Sequence, residues 1–310
     1  MQSKAATIVI LGTGGTIAGT SSDAHDNVGY TAAQLSVAQL LQGLPSLDGV
    51  SLESEQVAQL NSKDMSHAVW RDLALRCAHH LARPEVAGVV VTHGTDTLEE
   101  TAWFLQRVLA PLKPVVLTAA MRPATALQAD GPKNLLDAIR VAQAPSACGV
   151  VAVMAGQVHG ARDVRKVHPS RLDAFSSGDA GPIACIEEGV LRVLRAWPHS
   201  VAVGVDALPS DESAWPRVEI VVSHAGASGA VVQALCAAGV QGIVVAGTGN
   251  GTLHGDLEAA LVDAQSRGVR VLRSTRCASG AVLPLPGDVL PSADDLSPPK
   301  ARVELLLQLL

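Results

Sequence analysis

Short aliphatic runs recur along the 310-residue chain, each closing on a polar or glycine-rich turn and followed by a stretch of helical spacing. That alternation restricts the fold more than any other feature, because strand–turn–helix units repeated in order assemble into a parallel sheet covered by helices. The runs fall at residues 8–11, 88–91, 115–117, 150–154, 220–222, 243–246 and 269–272. They predict an α/β fold: a larger N-terminal domain with a mainly parallel sheet flanked by helices, and a smaller C-terminal α/β domain. Between Arg195 and Pro216, turn-formers accumulate without periodicity, as in Trp197-Pro198, Leu208-Pro209-Ser210-Asp211 and Trp215-Pro216. They predict domains at 1–195 and 216–310 joined by a linker over 196–215.

Hydrophobic residues make up 48% and charged residues 17%, which excludes a disordered chain. Aromatic residues are only 2%, with Tyr30 the single tyrosine, so the core must be built from Ala, Val and Leu. The net charge of −6 carries no basic stripe, which argues against a nucleic-acid partner and for a small ligand. No apolar run approaches the ~18 residues of a membrane span. The opening Met1-Gln2-Ser3-Lys4 leads straight into a strand-like run without a cleavable apolar segment, so a cytoplasmic protein is expected. Five cysteines, odd in number and without CxxC spacing, are expected to be reduced, buried thiols.

In open parallel sheets ligands sit beyond the carboxyl ends of the strands, so the residues after each run are where chemistry is sought. Gly12-Thr13-Gly14-Gly15-Thr16 follows the first run, but a dinucleotide GxGxxG pattern would need glycine where Ile17 stands, and no P-loop lysine follows. Residues 19–29 are small or polar and form a lid-like loop ending at Tyr30. A threonine on a glycine turn, a loop and the lone tyrosine suggest a nucleophile, Thr16, beneath a lid. Thr95-Asp96-Thr97-Leu98-Glu99-Glu100 opens a helix to about Leu109, with capping-box spacing between Thr97 and Glu100. This segment either only caps the helix or presents Thr95 and Asp96 as a second reacting pair. Lys166 sits in a charged run that is either solvated or, if buried beside Asp96, supplies a base for a threonine. The ten histidines show no HxH or HExxH spacing, and no metal site is expected.

With these residues assembled, the chain resembles the bacterial L-asparaginase family of threonine amidohydrolases. Thr13-Gly14-Gly15-Thr16-Ile17-Ala18-Gly19 and the THGTDTLEETAWFL segment at 92–105 carry the resemblance. Gly29-Tyr30, Ser62-Lys63-Asp64-Met65, Ala120-Met121-Arg122-Pro123, Ala129-Asp130-Gly131-Pro132, 160–166, 247–251 and Pro299-Lys300-Ala301-Arg302 follow in family order. The resemblance implies hydrolysis of L-asparagine to aspartate and ammonia through an acyl-threonine. The alternatives are a glutaminase-asparaginase of broader amide specificity, an amidase for a bulkier asparagine derivative, or a silent amino-acid sensor on the same fold.

By resemblance, Thr16 attacks the amide carbonyl with help from Tyr30, while Thr95, Asp96 and Lys166 form the second group, Lys166 relaying the proton. An amide near Gly15 and that of Thr95 are the implied oxyanion donors. Ser62 and Asp96 hold the substrate's α-groups, and the Ala120 carbonyl accepts from the leaving amide. No cofactor is implied, and the partners are the small-molecule substrate and further copies of the chain. The resemblance implies a homotetramer, a dimer of dimers in which the C-terminal domain completes a neighbour's site through Asn250. Two departures stand out. Lys63 occupies a place where many relatives carry Gln or Glu, and 276–287 holds no carboxylate to serve as the family's second intersubunit contact.

Overall fold

The computed structural model describes residues 6–45 and 50–310; the opening Met1-Gln2-Ser3-Lys4 lies outside them. The chain divides into two compact units, Met1–Val205 and Asp206–Leu310. The first runs β1 (Ala6–Gly14), α1 (Val37–Gln42), β2 (Val50–Leu60), α2 (His67–Leu81), β3 (Val86–Thr92), α3 (Leu98–Leu109), β4 (Val115–Thr118), α4 (Gly131–Gln143) and β5 (Val150–Met154). It continues through β6 (Gln157–Gly160), β7 (Arg165–Lys166), β8 (Phe175–Ser176), β9 (Ala184–Glu187) and β10 (Val190–Val193). An eight-stranded sheet takes the order β10-β9-β6-β5-β4-β3-β1-β2, and β7 pairs with β8 apart from it. The strands from β2 to β5 are parallel, whereas β6, β9 and β10 add an antiparallel end.

Side chains of a strand alternate between faces, and here both faces are buried. Ile8, Ile10, Val90, Val116, Val151 and Val153 join Val37 of α1 and Leu135, Ala138 and Ile139 of α4 in one core cluster. Their neighbours Val9, Leu11, Val89, Val91, Val115 and Leu117 are equally buried. Helices α2 and α3 pack against each other and against β3 and β5. Compact aliphatic side chains therefore fill both layers, as the scarcity of aromatics requires.

The chain moves from β1 outward to β2, then returns past β1 to β3, so the order reverses between β1 and β3. In a doubly wound sheet that switch point opens a crevice at the strands' carboxyl ends. The register aligns Gly12 with Thr92 and Thr92 with Thr118, which sets the segments after β1, β3 and β4 side by side. Thr13 Oγ1 donates to the Thr92 carbonyl at 2.9 Å, and the His93 amide donates to the Thr118 carbonyl at 2.8 Å, locking those ends together.

The second unit is a parallel sheet of β11 (Val218–Val222), β12 (Gly242–Gly247) and β13 (Arg270–Thr275), with α5 (Ala230–Ala237), α6 (Gly255–Ser266) and α7 (Pro298–Gln308). Val221, Ile243, Val245 and Val271 pack with Val232, Leu257 and Leu261 of α5 and α6. Helix α7 contacts all three strands.

All seven expected strands are present, and the α/β architecture is as anticipated. Among the described residues six further strands occur, of which β2 is the longest. The turn-rich stretch 196–215 is not a free tether along its length. Val203 and Gly204 donate to the carbonyls of Arg107 and Val108 at 2.8 and 3.0 Å, and Gln106 Nε2 reaches Ser200 Oγ at 2.8 Å. The five cysteines are unpaired as expected, but only Cys77 is buried and Cys277 is exposed. Among the described residues no helix is long and apolar enough to cross a membrane.

Candidate active site

Thr16 opens a single 3₁₀ turn immediately after β1. The sharp reversal that exposes its hydroxyl to the crevice requires Gly14 and Gly15 at φ of 102° and 81°, where L side chains are strained. Gly15 has a second reason to lack a Cβ, which would lie 2.4 Å from the Cα and N of Gly94. Backbone thus packs on backbone where the Thr16 and Thr95 turns meet. The Gly15 amide itself donates to the Leu60 carbonyl at 2.9 Å, so Gly15 serves the site by its shape. The Gly15 N–H is thereby committed to Leu60, which leaves the amides beside it as the ones near Gly15 that can face the cavity.

Tyr30 lies across Thr16, with 2.5 Å between Thr16 Oγ1 and Tyr30 Oη. The loop carrying it closes as a narrow hairpin in which Thr20 and Thr31 exchange backbone hydrogen bonds of 2.9 Å. A Cβ at Gly19 would lie 2.8 Å from Tyr30 Cδ2, so glycine there lets the ring settle over the turn. Asp26 caps the loop tip by accepting from the amides of Val28 and Gly29 at 2.8 and 2.7 Å. The Gly29 and Val28 amides hold the Asp26 carboxyl below the ordinary carboxylate range.

The second threonine sits after β3. Lys166 Nζ lies 2.8 Å from both Thr95 Oγ1 and Asp96 Oδ1. Lys166 belongs to β7, not to a solvated loop, and its amide donates to Glu99 Oε2 at 2.7 Å. An ammonium group only donates, so Thr95 Oγ1 is the acceptor and its own hydroxyl hydrogen remains available to a ligand. Glu99 is a positioning residue that the sequence reading overlooked, since a carboxylate in the first turn of a helix reads as dipole compensation.

The capping box anticipated at Thr97 does not form on the threonine side: Thr97 makes no side-chain cap bond, and its hydroxyl donates to the Ser62 carbonyl at 2.8 Å. Ser62 Oγ accepts from the Asp96 amide at 3.1 Å. Ser62 therefore braces the 95–97 turn, and it is buried. Lys63 is turned outward, its side chain 63% exposed and paired with Asp64 at 2.9 Å.

A cavity of about 390 Å³ collects these groups, lined by Thr16, Tyr30, Thr95, Asp96 and Lys166 together with Asn27, Val28, Met121, Arg122, Pro169 and Ser170. Gly15, Ser62 and Ala120 lie outside that lining. Ala120 is fully buried at the end of β4, and Asp130 orders the following turn by accepting from the amides of Met121 and Arg122 at 3.0 and 2.9 Å. Asn250 belongs to the second unit, where its side chain accepts from the Leu283 amide at 2.8 Å and donates to the Leu283 carbonyl at 2.9 Å. Asp288, the first carboxylate beyond 276–287, is held by Arg273 and by the Leu285 amide.

Behind the Thr95 turn runs a directed relay. Trp70 Nε1 donates to Thr101 Oγ1 at 2.8 Å, Thr101 lies 3.0 Å from His93 Nε2, and His93 Nδ1 lies 2.7 Å from the Gly94 carbonyl. A carbonyl only accepts, which assigns the proton to Nδ1 and leaves Nε2 to accept from Thr101. Burial pushes the imidazole down from 6.5 to about 4, keeping it neutral. The unfolded chain takes up this proton at the ordinary value, so the stabilisation is complete above about pH 6.5 and is lost as pH falls from there toward 4. Denaturant midpoints measured from pH 7 to 4 should fall more steeply for the native chain than for His93→Gln.

Residues 7–199 match the family model described as asparaginase, N-terminal, and residues 217–310 match the glutaminase/asparaginase C-terminal domain. L-asparaginase 2 of Bacillus subtilis strain 168 is 38% identical over 97% of this chain and 82% of its own length. The glutaminase-asparaginase of Pseudomonas fluorescens biotype A is 37% identical over 99% of this chain and 87% of its own. The crystal structure of a probable cytoplasmic L-asparaginase from Campylobacter jejuni superposes with a TM-score of 0.92 at 37% identity, covering 98% of this chain and 95% of the other.

Proposed function

The chain belongs to the asparaginase family, and from that premise we propose that it hydrolyses L-asparagine to aspartate and ammonia by double displacement through an acyl ester on Thr16. The observation that carries this is the pairing of two threonine hydroxyls in one cavity, one against Tyr30 and the other against a Lys166–Asp96 pair. An amide is a poor electrophile and water a poor nucleophile, so dividing the reaction between an oriented hydroxyl and a later water lowers both barriers.

In the first step Thr16 Oγ1 bonds to the side-chain carbonyl carbon as Tyr30 Oη accepts its proton and releases its own phenolic proton toward the amide nitrogen. The developing oxyanion is held by backbone amides at the two turns, with that of Thr95 among them. The C–N bond then breaks, the proton passes to nitrogen, and ammonia leaves past the Ala120 carbonyl. In the second step Thr95 takes a proton from water as it passes its own to Lys166, which hands one toward Asp96. The water oxygen bonds to the ester carbonyl carbon, the C–O bond to Thr16 breaks, and the proton returns to Thr16 Oγ1, leaving Asp96 ionised again. Asp96 also receives the substrate's α-ammonium, and Ser62 acts on the α-carboxylate from behind the 95–97 turn. Because Lys63 faces solvent, it places no opposing charge at the ammonium.

Tyr30→Phe tests the first step separately. Its loss should reduce kcat about a hundredfold or more, the usual scale of a positioned proton acceptor, with stability changed by no more than about 1 kcal/mol. Equal losses in KM-limited and saturated rates would place the defect in the transition state.

The protein assembles as a dimer of dimers, a reading supported by the family's C-terminal domain at 217–310 and by Asn250 on the 247–251 turn. In it the second unit completes a neighbour's site. The cytoplasm is the proposed compartment, supported by five unpaired thiols and by the name of the Campylobacter jejuni relative. Relatives of nearly equal identity are named for glutamine as well as asparagine, so ammonia release is to be measured with both amides. Higher kcat/KM for asparagine is expected; turnover of neither would overturn the assignment.

A further inference from the structure

The charges lining the cavity do not cancel. Lys166 and Asp96 neutralise one another, which leaves the Arg122 guanidinium as an additional cation. Arg122 Nη1 donates to the Ser170 carbonyl at 2.9 Å and reaches that of Met121 at 3.4 Å, both neutral acceptors. Among the described residues no carboxylate pairs with it. The nearby Asp130 carboxylate is committed to the Met121 and Arg122 amides and to Asn134 Nδ2. A guanidinium carries five donors in a planar fork suited to carboxylates, so most of the Arg122 donors remain open.

The position of this cation gives it a chemical meaning. Arg122 lies two residues beyond Ala120, whose carbonyl faces the departing nitrogen in the proposed reaction, so it belongs to the leaving-group side of the cavity. The free amide of asparagine ends at that nitrogen and has nothing to offer the guanidinium. The volume of about 390 Å³ falls within the ~300–1,000 Å³ of pockets that hold ligands larger than one amino acid. Asn27 adds a second unfilled position: its Oδ1 is buried without a donor while its Nδ2 is turned to the His25 carbonyl at 3.4 Å. An acceptor in the lining of the cavity suits the N–H groups of an amine forming as the bond breaks.

We propose that the Arg122 side of the cavity is a subsite for an anionic leaving group, and that the enzyme cleaves β-aspartyl dipeptides in which the side-chain amide nitrogen carries a short carboxylate-bearing residue. This rests on the proposed amidohydrolase reaction. The balance is the same: Thr16 Oγ1 bonds to the β-carbonyl, the C–N bond breaks, and the threonine proton goes to nitrogen. β-Aspartyl-glycine then releases glycine, and water converts the ester to aspartate. Arg122 holds the glycine carboxylate throughout.

The test compares asparagine, β-aspartyl-glycine and its neutral amide, β-aspartyl-glycinamide, on the full chain, reading aspartate release. β-Aspartyl-glycine should be cleaved with kcat/KM about tenfold or more above the glycinamide, the size of one charge-assisted contact. Arg122→Gln keeps an N–H donor for the Ser170 carbonyl and removes the charge, and it should bring that ratio close to one. Asparagine turnover without cleavage of β-aspartyl-glycine, equal rates for the charged and neutral forms, or a preference that survives Arg122→Gln would overturn the subsite. Absence of asparagine turnover would instead overturn the reaction beneath it.

Discussion

Thr16→Ala should abolish turnover while leaving a folded protein, with kcat lowered at least about a thousandfold, as when the nucleophile of a covalent hydrolase is removed. The turn that carries Thr16 is set by the positive φ of Gly14 and Gly15 and by the contact of Gly15 with Gly94, none of which involves the threonine side chain. The hydroxyl's partner is Tyr30 Oη, which lines the cavity and can turn to water, so no buried donor is stranded. Stability should therefore change by no more than about 1 kcal/mol, the net value of one hydrogen bond. Thermal denaturation and ammonia release on the same preparation separate the two effects, and a variant retaining near-native activity would remove Thr16 from the chemistry.

Lys166→Met is the second large effect. The substitution keeps an unbranched side chain of similar reach but deletes the donor shared by Thr95 and Asp96 at 2.8 Å. Thr95 would then be free to turn its hydroxyl hydrogen toward Asp96, away from a bound ligand, and the relay would lose its middle member. A fall in kcat of roughly a hundred- to a thousandfold is expected, in the range of general acid–base contributions. The fold should tolerate the change. The Lys166 amide keeps its bond to Glu99, the β7–β8 register is a backbone property, and Asp96 is half exposed, so a lost ion pair there costs little. Lys166→Arg should not restore the rate, because a guanidinium does not give up its proton. If Lys166→Met turned over asparagine normally, Thr95 would be a binding group without a proton relay.

The parallel half of the larger sheet was legible because its strands are buried on both faces and read as continuous aliphatic runs. β2 was not, for a physical reason. It is an edge strand, its middle residues Glu53-Ser54-Glu55-Gln56 are all polar, and its acids pair with α2 and the turn after it, where Glu55 meets Arg76 at 2.6 Å and Glu53 meets Arg83 at 2.7 Å. Charges that protect an edge hide it from a search for apolar runs. The antiparallel strands β6, β9 and β10 are only four residues each and carry too little pattern to register.

Thr16 and Tyr30 stood out by residue type and glycine geometry, Thr95, Asp96 and Lys166 only through the family resemblance, and the five line one cavity. What the sequence could not convey is which backbone groups are already committed. The Gly15 amide goes to Leu60, the Thr97 hydroxyl to Ser62 instead of its own helix, and Glu99 to the Lys166 amide. Each of these pairs is distant in sequence and depends on the order of strands at the switch point. Arg122 stood in a recognised segment from the outset, but only its missing counter-ion gives it a role of its own.

The central claim, that the acyl group is carried by Thr16, is tested most directly by trapping it. Acid quenching within a single turnover of asparagine, followed by proteolysis and mass measurement, should find the aspartyl ester on the peptide containing Thr16, and on none from Thr16→Ala. An ester on the peptide containing Thr95 would contradict the account.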